Sequence, residues 1–285
     1  MSFLKDILMN LPEIKSPLQK KLSFKEKLKW TAIILFAFFI LSVIPLYGLG
    51  ENALSQFEQL SIILGANFGS IMSLGIGPIV TASIVLQLLT GSGILKLDLT
   101  THEGKKSFQG IQKALAIFFI IFEAMIYVFM GGLAPAAGIS PWVLIFQLTL
   151  GGLMVLYMDE VTSKWGFGSG VSLFIAAGVS AELFVRAFSP LTTTGAWAFG
   201  SGQPPIGAVL VFIISLLNQD PVSAGLAFSG ILATIGVFLL AVYFQAMKVE
   251  IPLSFGRIRG YGIIWPLRFL YTSNIPVILI AALLA

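Results

Sequence analysis

The residues that could carry acid–base or nucleophilic chemistry are few in this sequence and lie far apart. The single histidine, His102, falls in a charged segment, and no apolar stretch offers the base that an intramembrane serine nucleophile requires. Ser169, which stands between two glycines, therefore indicates a tight helix start. A carboxylate protease would need two aspartates that share a proton within the membrane. The aspartates instead lie in the N-terminal tail or at and beyond the ends of apolar stretches: Asp6, Asp98, Asp159 and Asp220. The sequence predicts no enzymatic activity, and no metal or cofactor.

Charged side chains inside apolar stretches are the next candidates, because ion-coupled transporters place such groups within their spans. Glu123 is the ionisable residue nearest the middle of a stretch, and Asp159 and Glu160 close another. Glu182 and Arg186 are four residues apart and could pair on one helix face. For each, a helix-packing contact or a local ion pair is the simpler interpretation. A secondary transporter with inverted repeats stays open as the alternative function.

Composition places these groups in a membrane protein. Hydrophobic residues make up 57% of the 285 positions, charged residues only 11%, and cysteine is absent. A soluble domain carries about 25% charged residues. Seven apolar stretches are near the length of about 20 residues that crosses a bilayer: 29–49, 76–95, 110–132, 141–158, 170–190, 228–247 and 264–285. The sequence therefore predicts an all-α polytopic membrane protein.

The positive charges indicate how these stretches are oriented. If each stretch crosses the membrane, all of the 17 lysines and arginines except Arg186 fall on one side. Positive charge marks the cytoplasmic side. We therefore expect a multi-pass protein of the cytoplasmic membrane with a cytoplasmic N-terminus.

Two apolar segments are too short to span. In the outer connection at 47–75, leucine and phenylalanine recur at helical spacing over about ten residues: Leu54, Phe57, Leu60 and Leu64. Such a helix either rests on the bilayer surface or re-enters the protein, and periodicity leaves both possibilities open. The run 206–217 is also too short to cross comfortably. The first 22 residues predict an amphipathic segment on the membrane surface or a solvated tail.

Two pairs of apolar residues share a helix face, which ordinarily indicates packing. Ile76 and Val80 lie in LGIGPIVT at 74–81, and Val171 and Ile175 lie in GSGVSLFIAAG at 168–178. These two segments resemble signature segments of the SecY family, the channel subunit of the protein-conducting translocon, and most closely its archaeal members. Further matches follow in the same order: 25–30, 87–89, 159–160 with Lys164, 250–252, 256–260 and 273–278. The resemblance runs from about residue 20 to the end.

The resemblance implies two pseudo-symmetric halves of five helices each, inverted in topology, around an hourglass pore. Matched by motif, five positions of its apolar pore ring are Ile76, Val80, Val171, Ile175 and Ile278. An empty apolar constriction sheds water and blocks ions, and it makes no strong sequence-specific bond to a passing polypeptide. The short helix at 54–64 resembles the family's plug, which favours re-entry.

The resemblance also implies a lateral gate to lipid between 76–95 and 271–285. Gln87 and Asn274 are either polar gate residues or ordinary interhelical hydrogen-bonding groups. The implied function is translocation of polypeptides across the membrane and insertion of proteins into it, driven by an external motor.

The implied partners include the ribosome, because Arg257 and Arg259 match its contact loop and arginines suit RNA phosphates. Without the resemblance these two arginines would indicate only a cytoplasmic loop. The other partners are SecE-like and small beta- or SecG-like subunits, signal sequences, nascent polypeptides and membrane lipid.

The chain departs from the family pattern of ten helices by stopping near the seventh. We expect an incomplete SecY-like bundle, either truncated or completed by a second chain. Its predicted regions are an N-terminal segment (1–22), a first half with the plug (23–190), and an outer segment with the start of the second half (191–285).

Overall fold

The computed structural model describes residues 11–18, 22–50, 69–95, 97–192, 196–199, 203–253 and 263–268. This part of the chain is mostly helical. Its elements are α1 (Phe24–Val43), α2 (Gly77–Gly91), α3 (His102–Phe129), α4 (Pro141–Trp165), α5 (Gly170–Phe188), α6 (Ala208–Leu217), α7 (Pro221–Ala246), β1 (Lys248–Leu253) and β2 (Ile263–Arg268). The first six predicted apolar stretches correspond to α1 to α5 and α7, and the short run 206–217 corresponds to α6. The prediction of a helical polytopic protein is confirmed.

Helix length separates these elements into two groups. Within the described residues, α3 to α5 and α7 are long and apolar enough to cross a membrane. Helix α1 has 20 residues, but its first two turns are charged. Helix α2 has only 15 residues, shorter than the predicted stretch 76–95. It ends there because Gly91 and Ser92 are followed by Gly93, whose φ of 76° leaves the helical region.

Side-chain caps define several helix starts. Ser23 accepts a hydrogen bond from the Glu26 N–H at 3.3 Å, and Asp220 accepts from the N–H groups of Val222 and Ser223. The hydroxyl and the backbone N–H of Ser223 hold the pKa of the Asp220 carboxyl below its usual value. Pro221 follows in the first turn of α7, a position that proline favours. These caps satisfy N–H groups that a helix leaves unpaired at its start.

Two compact units divide the chain, with the boundary inside α5 after Ser180. In the first unit a hydrophobic core joins α1 to α5 and the turns before α2. Its fully buried side chains include Leu74, Leu144, Leu148 and Phe174. The predicted division at 190/191 stays a prediction.

In the second unit the outer segment folds back on itself before α6. The N–H of Ile206 donates to the Leu191 carbonyl at 2.8 Å, and the N–H of Gly207 donates to the Ser189 carbonyl at 3.0 Å. Helices α6 and α7 then pack together, with the Phe212 and Phe228 ring centroids 5.6 Å apart.

The two strands correct one sequence prediction. They pair antiparallel from Lys248 opposite Arg268 to Leu253 opposite Ile263, so residues 264–268 are a strand and not the start of a seventh helix. Ile264 and Trp265 favour extended backbone. Pro266 lacks the N–H that a helix interior needs. The rest of the stretch, 269–285, lies outside the described residues.

Candidate pore constriction

The first pair of predicted ring residues lies where α2 begins. Residues 69–76 form turns, and Ile76 is the residue immediately before the helix. The Ile71 N–H donates to the Ile44 carbonyl at 3.0 Å, which ties these turns to the end of α1. Ile76 is fully buried and Val80 is buried. Irregular backbone at membrane depth is tolerated where protein surrounds it and satisfies its polar groups, and these turns fit that condition.

Glycines in α4 permit this arrangement. A Cβ atom on Gly151 would lie 1.9 Å from the carbonyl oxygen of Ile71, and one on Gly152 would lie 2.6 Å from the Ile120 side chain. A side chain at position 151 would displace the backbone at Ile71, and one at position 152 would displace the Ile120 side chain. Small residues at such crossings let membrane helices approach closely. Here Gly151 lets α4 contact the turn before α2, and Gly152 lets α4 contact α3.

The second pair lies at the start of α5, which is attached to the end of α4. The Val171 N–H donates to Asp159 Oδ1 at 2.9 Å, and the Gly170 N–H also hydrogen-bonds that carboxylate. Gly168 has a φ of 79°, which a residue with a side chain rarely adopts. The predicted tight helix start at Ser169 is confirmed, because α5 begins at Gly170.

Helix α1 also contacts the turn that precedes α5. The Phe167 N–H donates to the Thr31 hydroxyl at 3.2 Å. One turn into α5, the fully buried Phe174 ring stacks on Phe38, with centroids 4.8 Å apart and planes 8° from parallel. The first part of α5 and the turn before it thus contact both α1 and α4.

Four of the predicted ring residues belong to, or pack against, the hydrophobic core that joins α1 to α5. Ile76 and Val80 are members of the hydrophobic core, and Val171 and Ile175 are half-buried against it. They come from two helix starts that are about 90 residues apart in sequence. The fifth, Ile278, lies outside the described residues.

Most other predicted site residues also lie outside the described residues. These are the plug residues Leu54, Phe57, Leu60 and Leu64, the gate residue Asn274, and the ribosome-contact residues Arg257 and Arg259. Gln87 is described, and it is exposed on α2. The gate, plug and ribosome assignments therefore stay predictions.

Polar groups within the bundle pair with each other. Gln112 Nε2 donates to Ser83 Oγ at 2.5 Å and so joins α3 to α2. Glu182 pairs with Arg186 at 2.5 Å, as their spacing predicted. The sequence could indicate the i, i+4 pair, but it gave no signal for contacts between different helices.

The described part of the N-terminal segment, residues 11–18, is not helical and contacts the N-terminal half of α3 and the C-terminal end of α4. Glu160 accepts from the Ile14 N–H at 3.0 Å and pairs with Lys113 at 2.7 Å and Lys164 at 2.9 Å. Trp165 Nε1 donates to the Lys15 carbonyl at 3.0 Å. We call residues 11–15 the strap. Because these bonds go mainly to the strap's backbone, side-chain patterns could not predict them.

Beside the strap lies a cavity of about 290 Å³. Strap residues Leu11 and Glu13 line it together with Ile79 of α2, Lys106 of α3 and Asp159 of α4. The carboxylate that holds the start of α5 thus lies at a polar cavity next to α2.

Comparison with known proteins identifies the class of these elements. The SecY family profile matches residues 70–285, and a profile for the plug domain of Sec61p matches residues 36–69. The protein translocase subunit SecY of Methanothermobacter thermautotrophicus is 54% identical over 280 residues, which is 96% of this chain and 60% of that protein. The same subunit of Methanocaldococcus jannaschii is 42% identical over 279 residues, 98% of this chain and 60% of that protein.

Solved structures of similar proteins share the fold of this chain over most of its length. A protein-conducting channel superimposes with a TM-score of 0.77 at 41% identity, over 97% of this chain and 60% of that one. Sec61 in a canine ribosome–channel complex from the endoplasmic reticulum gives 0.76 at 41% identity, with the same coverage.

The fold defines a polytopic helical membrane protein. The chain belongs to the SecY family. It spans about 60% of the length of the relatives that it matches.

Proposed function

We propose that this chain supplies most of the constriction, and part of the lateral exit, of a channel that conducts polypeptides across and into the cytoplasmic membrane. The observation that carries the proposal is that Ile76, Val80, Val171 and Ile175 lie at two helix starts that contribute to one hydrophobic core, in a chain whose sequence matches the SecY family.

The chemistry of these four side chains suits a seal. Aliphatic groups give water and ions no hydrogen bonds, so a narrow gap between them stays dry when it is empty. The same groups contact any polypeptide weakly and without sequence preference, because dispersion is not directional. A strained or charged site would instead hold some sequences and reject others.

The proposal extends to regions outside the described residues. Residues 54–64 act as a plug, a role supported by the profile match to 36–69. The segments 76–95 and 271–285 form the lateral gate with Gln87 and Asn274. The predicted halves at 23–190 and 191–285 are retained, and Ile278 supplies a fifth ring position.

Orientation and partners follow from the same proposal. The N-terminus is cytoplasmic, and Arg257 and Arg259 lie where the ribosome docks. SecE-like and small beta- or SecG-like subunits surround the bundle. A relative's structure was solved as a ribosome–channel complex, which supports the ribosome as partner.

Photocrosslinking tests the proposal directly. A photoreactive amino acid replaces Val171 in the complete channel, and a ribosome-bound nascent chain is arrested during translocation. We expect crosslinks between position 171 and the nascent chain. Phe118 on α3 is 58% exposed and serves as the control, because it should crosslink to lipid. Crosslinking of the nascent chain at 118 but not at 171 would refute the proposed route.

A further inference from the structure

The acidic residue at the end of α4 contacts the first turn of the next helix in the chain. Asp159 Oδ1 accepts the Val171 N–H at 2.9 Å, and its carboxylate also accepts from Gly170. The backbone N–H that donates to Asp159 at 2.9 Å therefore belongs to Val171, one of the predicted ring residues. We propose that Asp159 is a positioning residue for the constriction, which sets where α5 begins and hence where Val171 and Ile175 lie. This inference rests on the proposed function.

Asp159 can position α5 because it caps that helix from a different helix, α4. The first N–H groups of a helix have no partner within the helix, and a carboxylate also complements the positive end of the helix dipole. A cap residue usually directly precedes its helix. Asp159 is instead 12 positions before Val171 and belongs to α4. It therefore ties one helix to another as well as stabilising a helix end.

The surrounding contacts leave little room for an alternative start. A Cβ atom on Gly170 would lie 2.6 Å from the Cα and 2.8 Å from Oδ1 of Asp159, and 3.2 Å from the Thr162 Cβ. Thr31 holds the preceding turn through Phe167. These neighbours limit how closely α5 can approach, whereas the hydrogen bond from Val171 also fixes its direction.

The hydrogen bond from Val171 to Asp159 controls the register of α5, which is the position along the sequence at which that helix begins. Moving a helix by one residue shifts its side chains by about 1.5 Å along the axis and turns them by about 100°. Such a shift would take Val171 and Ile175, which share one face, away from their present neighbours together. A seal that depends on both would then hydrate, even if α5 itself remained helical.

The test compares Asp159→Ala with Asp159→Asn in the complete channel, reconstituted with its partner subunits in liposomes. Asparagine keeps an oxygen that can accept the Val171 N–H, whereas alanine removes it. We expect the alanine variant to raise resting ion leakage per folded channel about fivefold, the scale on which losing one helix cap shifts a two-state equilibrium. The asparagine variant should stay near the parent value.

The matched control is Asp220→Ala, which removes the cap of α7 by the same chemical change. It should lower folded yield without leakage. Because this sequence has no cysteine, a cysteine at position 171 also reports the register, and a small water-soluble thiol reagent should label it faster in Asp159→Ala than in the parent. A merely structural role would change the yield and leave labelling per folded channel unchanged.

Four results separate the possibilities. Leakage from Asp159→Ala no greater than that from Asp220→Ala overturns the inference, as does equal leakage from the alanine and asparagine variants. If the alanine variant does not fold, Asp159→Glu moves the carboxylate by one methylene and should leak, and a tight membrane again overturns the inference. Ile175→Asn distinguishes the two proposals: if it also leaves the membrane tight, the proposed function itself fails.

Discussion

A polar substitution in the constriction should behave differently from the same substitution elsewhere in the core. Ile76 and Ile120 are both isoleucines with no exposed surface. Ile76 is a predicted ring residue at the start of α2, whereas Ile120 packs on Gly152 at the crossing of α3 and α4. Ile76→Asn and Ile120→Asn therefore compare one chemical change at equal burial.

The expected difference follows from whether water can reach the new amide. A buried amide without a partner costs about 1 to 3 kcal/mol. At position 120 the folded state bears this cost in full, because close-packed helices surround the side chain. At position 76 a hydrated constriction provides hydrogen bonds and removes most of the cost. The ratio of folded to unfolded protein should then fall further for Ile120→Asn, by about 5- to 150-fold relative to Ile76→Asn.

Two measurements on the same preparations test this reasoning. Folded yield comes from size-exclusion chromatography of the complete channel in detergent, and conductance comes from planar bilayers at equal channel number. We expect Ile76→Asn to conduct ions at rest while retaining yield, and Ile120→Asn to lose yield while staying closed. Equal loss of yield in both variants with no conductance in either would refute the ring assignment.

The remaining predictions concern topology, the plug and the strap. Introduced cysteines should react only from the cytoplasm within 253–260 and only from outside within 196–203, because positive charge marks the cytoplasmic side; external labelling of 253–260 would overturn the topology. Deleting 54–64 from the complete channel should raise ion leakage while export continues, and unchanged conductance would favour the surface-helix interpretation. Glu160→Gln should weaken the strap by about 1 to 2 kcal/mol, because a charge-assisted hydrogen bond and two ion pairs lose their charge. Trypsin should then cleave after Lys15 roughly tenfold faster, and an unchanged rate would show that the strap does not depend on this carboxylate.

Sequence alone predicted the positions of the two helix starts because local chemistry determines them. The apolar stretch 76–95 begins one residue before α2, whose first turn holds Pro78, and Ser169 between glycines indicated the start of α5. These signals act within a few residues and do not depend on the rest of the fold. The short length of α6 was equally predictable, because polar residues and a proline follow Leu217 directly.

What sequence could not predict were contacts between distant parts of the chain. The strap binds through backbone groups, which every residue carries, so no side-chain pattern marks it. The β1–β2 pair was missed because residues 264–268 open a longer apolar stretch, 264–285, which has the length of a membrane span. Hydropathy does not distinguish the two conformations; Pro266 and the neighbouring β-branched residues do.

Asp159 illustrates why the supports of a site are harder to predict than the site. Its position at the end of an apolar stretch was visible, and an ion pair or a packing contact was the natural interpretation. Its observed partners are N–H groups of the following helix, which depend on how the turn at 166–169 directs the chain back onto α4. That turn depends in turn on the φ of Gly168 and on the space left by Gly170. In the proposed channel the apolar ring residues form the seal, and the glycines and one carboxylate determine where those residues lie. Mutations that disturb the seal should therefore be sought among these small and polar residues as well as in the ring.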